Sequence, residues 1–205
     1  MTQTNTLART LHDVGLATWF GGALMGAVGL NGASSDVSDP TDRARVANSG
    51  WGRWTPVNAA AIGAHVLGGA KLTTANKGRI AGQKGVGSAT ALKAGLTAAA
   101  LGATAYSRVL GQKVMEAEAK EAQHPLGPDG LPVADATTAT AQTPDDAANA
   151  QKQLKVLQWA IPAFTGALLV LNARMGEQQR PAEVTRGMAR RIFPDASERR
   201  KNREK

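Results

Sequence analysis

Four stretches of the chain carry no Asp, Glu, Lys or Arg: residues 14–35, 54–70, 94–107 and 156–173. The segments between them hold all 24 basic and all 16 acidic side chains. A bilayer-crossing helix needs roughly 17–25 apolar residues. Each stretch reaches that length with part of its flanks. The pattern predicts an all-α fold, a bundle of four transmembrane helices. The helices are expected at about 10–32, 55–72, 88–123 and 144–175, within a membrane domain of residues 1–175. Residues 124–143 form the outer hairpin loop, and residues 176–205 form a basic cytoplasmic tail.

Small residues recur at helical spacing inside these stretches. Gly22 and Gly26 form a GxxxG pair, and Ala60, Ala64 and Gly68 form a second stripe. Such spacing lets helix backbones approach closely in a membrane. Pro56 suits the first turn of the second helix. Asp39-Pro40 predicts a separate short surface helix through Asn48. The third helix is expected to run past the membrane to Gln123, because little between Tyr106 and Gln123 breaks it. Thr143-Pro144-Asp145-Asp146 signals the start of the fourth helix, and Pro162 should kink it near Gln158. The third and fourth helices then make an extended outer hairpin, with Val109, Leu110, Val114, Leu154 and Leu157 between its arms. The Ala/Thr-rich stretch 133–143 has no periodicity and reads as a loop.

Charge sets the expected orientation. Residues 71–93 hold five Lys/Arg and no acid, and residues 174–205 hold ten. The side bearing most Lys and Arg faces the cytoplasm. The expectation is therefore a multi-pass protein of the cell inner membrane with cytoplasmic N- and C-termini. Trp51, Trp54, Tyr106 and Trp159 fall at the outer helix ends, where amphipathic rings favour the headgroup layer. Pro181 and Pro194 bracket a basic amphipathic helix, whose Arg186, Arg190 and Arg191 suit an anionic lipid surface. The basic segments lack the interleaved aromatics of a single-strand nucleic-acid binder, so no nucleic-acid partner is expected. A cleaved signal peptide over residues 1–33 is a competing reading, but Asn31-Gly32-Ala33 fits a cleavage site poorly. The mean hydropathy is only −0.24, because the apolar stretches are rich in Ala and Gly. A soluble Ala-rich bundle is the rival fold.

Chemistry is sparse. Without cysteine there is no disulfide, thiolate metal site or cysteine nucleophile. The chain has no His-Glu-x-x-His or Gly-x-Ser-x-Gly motif, and the Gly78–Gly87 run lacks the Gly-Lys-Ser/Thr ending of a phosphate loop. No enzyme and no metal site is expected. His65 lies in the middle of the second helix, where an ionisable side chain needs a partner. Asp13 and Asn58 are its candidate partners. His12 and Lys93 lie toward the same inner half. His65 and His12 are candidate cofactor ligands for haem or quinone, but they are placed at different depths. Asn31 and Asn58 read as interhelical hydrogen-bonding residues.

The run Leu11-His12-Asp13-Val14-Gly15-Leu16-Ala17-Thr18-Trp19-Phe20-Gly21-Gly22, with Gln158-Trp159-Ala160-Ile161-Pro162, resembles uncharacterised conserved four-helix membrane proteins of actinobacteria. That resemblance implies location and helix count, not activity. The His, Trp and Gly opening is also similar to the first helices of copper-resistance-type membrane proteins, but the Met residues form no copper-binding cluster. The functional expectation is a non-catalytic membrane protein working through contacts with itself or other subunits, as an accessory part of a membrane or envelope complex. The alternative is a small transporter or redox-cofactor protein using the polar cluster around His65.

Overall fold

The computed structural model describes residues 5–83, 85–123 and 130–177. The fold is all-α with one small hairpin. Helix α1 runs Thr6–Ser35, α2 Pro40–Ala75, α3 Lys77–Gly82, α4 Val86–Glu121 and α5 Asp145–Glu177. Strands β1 (Val133–Asp135) and β2 (Thr138–Ala139) pair antiparallel between α4 and α5.

Local chemistry explains the boundaries. Asp39 caps α2 by accepting from the Thr41 N–H at 2.9 Å, and Pro40 fills the first position. The helix then continues unbroken for 36 residues, about 54 Å. The short surface helix expected at Asp39–Asn48 is thus the first part of α2, and Pro56 lies inside that helix rather than in its first turn. Gly85 precedes α4 with φ of 83°, a conformation that favours glycine. Within α1, Gly26–Leu30 form a π-helical turn in which the Asn31 N–H bonds back to Gly26 O. This wide turn shifts the register, so Gly22, Gly26, Ala27, Asn31 and Ser34 are all buried.

α1 packs along α2, and α4 along α5, as two antiparallel pairs. The pairs join mainly through α1 against α5. α2 and α4 touch much less, and a cleft remains between them. The central core is Leu16, Trp19, Ala100, Ile161 and Leu168. A second core lies at the end of the bundle beside the β hairpin, expected from sequence to be the outer one, where Leu110, Val114, Leu131 and Val133 meet Ala44, Ala147 and Ala150. Leu154 and Leu157 pack against it. Val109, expected between the hairpin arms, is exposed.

The stretch expected as a loop at 133–143 is built instead. The Asp135 carboxylate accepts from the Thr137 N–H at 2.7 Å and turns the chain between the strands. The Thr140 and Thr143 hydroxyls both donate to Pro132 O. Gln151, fully buried on α5, donates to Asp135 O. Threonine hydroxyls and an Asx turn replace the missing hydrophobic alternation.

Among the described residues two helices, α1 and α5, are long and apolar enough to cross a membrane. The expected set was four. α2 and α4 have the length, but their Ala- and Gly-rich composition carries less hydropathy. The tail, with Arg186, Arg190 and Arg191, lies outside the described residues, as does His124.

Candidate functional site

The cofactor candidates His12 and His65 meet each other. Their rings stack with centroids 4.0 Å apart and planes 17° from parallel. His12 Nδ1 lies 2.8 Å from His65 O, and His65 Nδ1 lies 2.9 Å from His12 O. A carbonyl oxygen only accepts, so both rings must carry the proton on Nδ1. Each imidazole therefore donates to the backbone of the other's residue. The two histidines share one depth, contrary to the expectation from sequence. Neither Asp13 nor Asn58 is the partner of His65.

Two glycines make this contact possible. A Cβ on Gly15 would sit 2.7 Å from His65 N, and a Cβ on Gly68 would sit 2.7 Å from His12 N. Any larger residue forces the helices apart. The arrangement is reciprocal, and so is the sequence beneath it: His12-Asp13-Val14-Gly15 on α1 and His65-Val66-Leu67-Gly68 on α2. The repeated His-x-x-Gly spacing is the signal in the sequence for this contact. It puts ring and glycine on one helix face, one turn apart.

Lys93 of α4 completes the cluster. Its Nζ lies 2.5 Å from His12 Nε2, the nitrogen that the tautomer leaves as an acceptor. Trp19 stands edge-on to His65 and its indole N–H donates to Thr104 Oγ1 at 3.2 Å. Asn172 of α5 reaches Asp13 on α1. A cavity of about 570 Å³ lies beside the cluster in the cleft between α2 and α4.

The other packing residues behave differently from expectation. Gly22 and Gly26 do not bring backbones together. The Trp54 ring lies over Gly22, and the Trp51 ring lies over Gly26. These two tryptophans therefore face α1, while Tyr106 and Trp159 are exposed. Ala60 is exposed and Ala64 half-buried, whereas Ala61, His65 and Gly68 form the buried face of α2. Asn31 donates to Gln158 Oε1 and accepts from the Trp51 indole, both at 2.9 Å. Asn58 Oδ1 is buried with no hydrogen-bond partner. A second cavity of about 510 Å³ lies here, among Trp19, Trp51, Trp54 and Asn58. Leu101 lines both cavities.

The geometry narrows the chemistry. Axial ligation of one haem iron needs two imidazoles on opposite faces of the macrocycle, with ring nitrogens pointing at the metal. Stacked rings, each with Nδ1 tied to a carbonyl and one Nε2 facing Lys93, do not fit that demand. A proton relay fits no better, because a backbone carbonyl does not pass on the proton it accepts. Among the described residues no three of His, Asp or Glu converge as a metal site. The pair is built to hold α1 against α2.

No family model, no curated protein and no solved structure matches the chain. The resemblance carried by Leu11–Gly22 and Gln158–Pro162 thus has no counterpart in these comparisons.

Proposed function

We propose that the chain is a multi-pass inner-membrane protein with four crossings and cytoplasmic termini. It acts without catalysis, through contacts with other membrane subunits or with itself, as an accessory component of a larger complex. One observation carries the membrane part of this reading. In the most apolar windows of α1 and α5, only 33% and 22% of residues are buried within the protein. The core helix of a soluble protein would be mostly buried. Here Leu7, Leu11, Val14, Leu24, Met25 and Val28 point outward along α1. Apolar surface of that extent needs a lipid or protein cover. α2 and α4, less apolar, would cross as members of the bundle.

The absence of cysteine makes the topology directly testable. Gln142→Cys on the outer hairpin should react with a membrane-impermeant maleimide in intact cells. Ala75→Cys should react only after permeabilisation. Equal labelling at both sites in intact cells defeats the four-crossing reading. For the accessory role, extraction in mild detergent followed by native mass spectrometry should give a complex of fixed stoichiometry. A lone monomer counts against it.

The second reading is a small-molecule carrier centred on His65. It is favoured by the cavity beside the histidine pair rather than by the rings themselves.

A further inference from the structure

The cavity of about 510 Å³ beside the β hairpin is walled by fixed indoles. Trp51 lies over Gly26 and donates to Asn31 Oδ1, which the π-helical turn of α1 has brought inward. Trp54 lies over Gly22. Trp19 is fully buried and donates to Thr104 Oγ1. All three rings line the cavity with Ile62, Leu101 and Ile161, and Ala136 and Thr137 of the hairpin turn line it too. Neither His12 nor His65 does. A pocket of this size, mostly apolar and aromatic with a few polar groups, suits a small organic ligand.

Much of the polar lining is already engaged within the protein. Asn31 donates to Gln158 Oε1, the Thr55 hydroxyl to Trp51 O, the Ser107 hydroxyl to Thr104 O, and Asn48 Nδ2 to Glu118 Oε2. Asn58 differs. Its Oδ1 is buried without a hydrogen-bond partner, alone among the side-chain oxygens of this lining. A buried carbonyl without a partner costs stability. The last torsion of an Asn side chain is broad, so the amide can turn either end toward the cavity. An acceptor oxygen calls for a donor. A carboxylate ligand brings only acceptors and would leave Oδ1 unpaired. A cationic ligand brings donors, but the one charged side chain of the lining, Arg108, is itself a cation. An uncharged hydroxyl both donates and accepts, so it serves the amide in either orientation.

We propose that this cavity binds an uncharged phenol-type molecule, a flat aromatic ring bearing a hydroxyl. The hydroxyl donates to Asn58 Oδ1, and the ring packs against the indoles in offset or edge-on contact. The lining runs along α4 from Leu101 to Met115, about 21 Å of helix, which leaves room for a hydrocarbon substituent on the ring. This site is distinct from the histidine pair and goes beyond both readings above. It holds whether lipid or water surrounds the helices.

The test titrates the full chain in a maltoside detergent with para-hexylphenol by calorimetry, against a blank of protein-free micelles. Binding should saturate at one per chain. The methyl ether, para-hexylanisole, keeps the ring and loses the donor, and should bind about tenfold more weakly. The saturated counterpart, para-hexylcyclohexanol, keeps the hydroxyl and loses the flat ring, and should also bind more weakly. Asn58→Leu should weaken the phenol by about tenfold and leave the ether unchanged, so that the two bind alike. This variant removes an unpaired buried oxygen, so without ligand it should unfold at no lower a temperature than the wild type. If Asn58→Leu does not fold, Asn58→Ala gives the same comparison of phenol and ether. Failure of the phenol to saturate overturns the site. Equal binding of ether and phenol to the wild type overturns the role of the hydroxyl, and equal binding of the cyclohexanol overturns the aromatic class. Tighter binding of para-hexylbenzoate overturns the uncharged head and assigns it to Arg108. Topology labelling reports the membrane reading separately, so a failure here is distinguishable from a failure there.

Discussion

At the crossing of α1 and α2, Gly15 and Gly68 bring backbone against backbone, and two imidazoles donate to carbonyls across the gap. At the outer ends of α4 and α5, Leu110, Val114, Leu131 and Val133 bury branched side chains against Ala147 and Ala150. The first interface sets this backbone contact beside the buried Leu16 and Trp19 of the central core. The second is an ordinary small hydrophobic core. Between helices in lipid the hydrophobic effect gives no drive, so close packing and interhelical hydrogen bonds must hold them. In water, burial of apolar surface is the main drive. The two interfaces thus differ in what holds them: backbone contact and interhelical hydrogen bonds at the first, side-chain burial at the second.

The comparison breaks most visibly at Gly68. Gly68→Leu puts a branched side chain where the Ala8 carbonyl and His12 backbone already lie. The cost should exceed about 3 kcal/mol, and the protein should fail to give a single gel-filtration peak in mild detergent. A well-folded Gly68→Leu protein would refute backbone contact as the holding principle.

Next in size is Leu110→Ala, in the outer core. A buried leucine truncated to alanine costs about 2–5 kcal/mol. Thermal unfolding in detergent should show the loss, with the His12–His65 pairing intact. Removing the ring at His65 should cost less, about 1–2 kcal/mol, because it deletes one interhelical hydrogen bond and the ring stack. If His65→Ala proves costlier than Leu110→Ala, the polar clasp outweighs apolar burial and the contrast needs redrawing.

The smallest effect concerns Asp135, in the β hairpin beside the second core. Burial opposes its ionisation, yet hydrogen bonds from the Thr137 N–H and the Thr138 and Thr137 hydroxyls, with Lys155 nearby, hold its carboxyl below the usual 3.8. A depressed carboxylate stabilises the folded state above its unfolded pKa and loses that contribution as pH falls through the folded value. Acidification from neutral pH to below 3.8 should therefore loosen the hairpin in the wild type. Asp135→Asn should be less sensitive over that range. Hydrogen exchange at the Thr137 amide would read this directly.

Much of the helical layout was legible because charge marks where helices end. The uncharged runs located the long helices, and the outer packing of Leu110, Val114, Leu154 and Leu157 followed from their spacing. His65 stood out as an ionisable group in an apolar run. Its partner did not, because the axial offset of two antiparallel helices depends on their contact surfaces, not on where charges stop. His12 lies just before the first uncharged run, and counting from that edge put it too near the surface. The inward turn of Trp51 and Trp54 was hidden for a related reason. An indole at a helix end suits the headgroup layer, but Gly22 and Gly26 offer it a slot on a neighbouring helix instead. The hairpin at 133–139 was illegible because threonine hydroxyls, not alternating apolar residues, hold it.

The histidine clasp also carries a consequence for how the protein is made. Gly15, Gly68 and both histidines lie within the first 68 residues of the chain. A nascent chain that has delivered only α1 and α2 already holds every ring, carbonyl and glycine of the lock. A slip of one helical turn would move both carbonyls away from both rings and set a side chain against each backbone. The N-terminal hairpin therefore sets its own register before α4 and α5 have been synthesised. Lys93 comes later, docking against a surface whose alignment is already set.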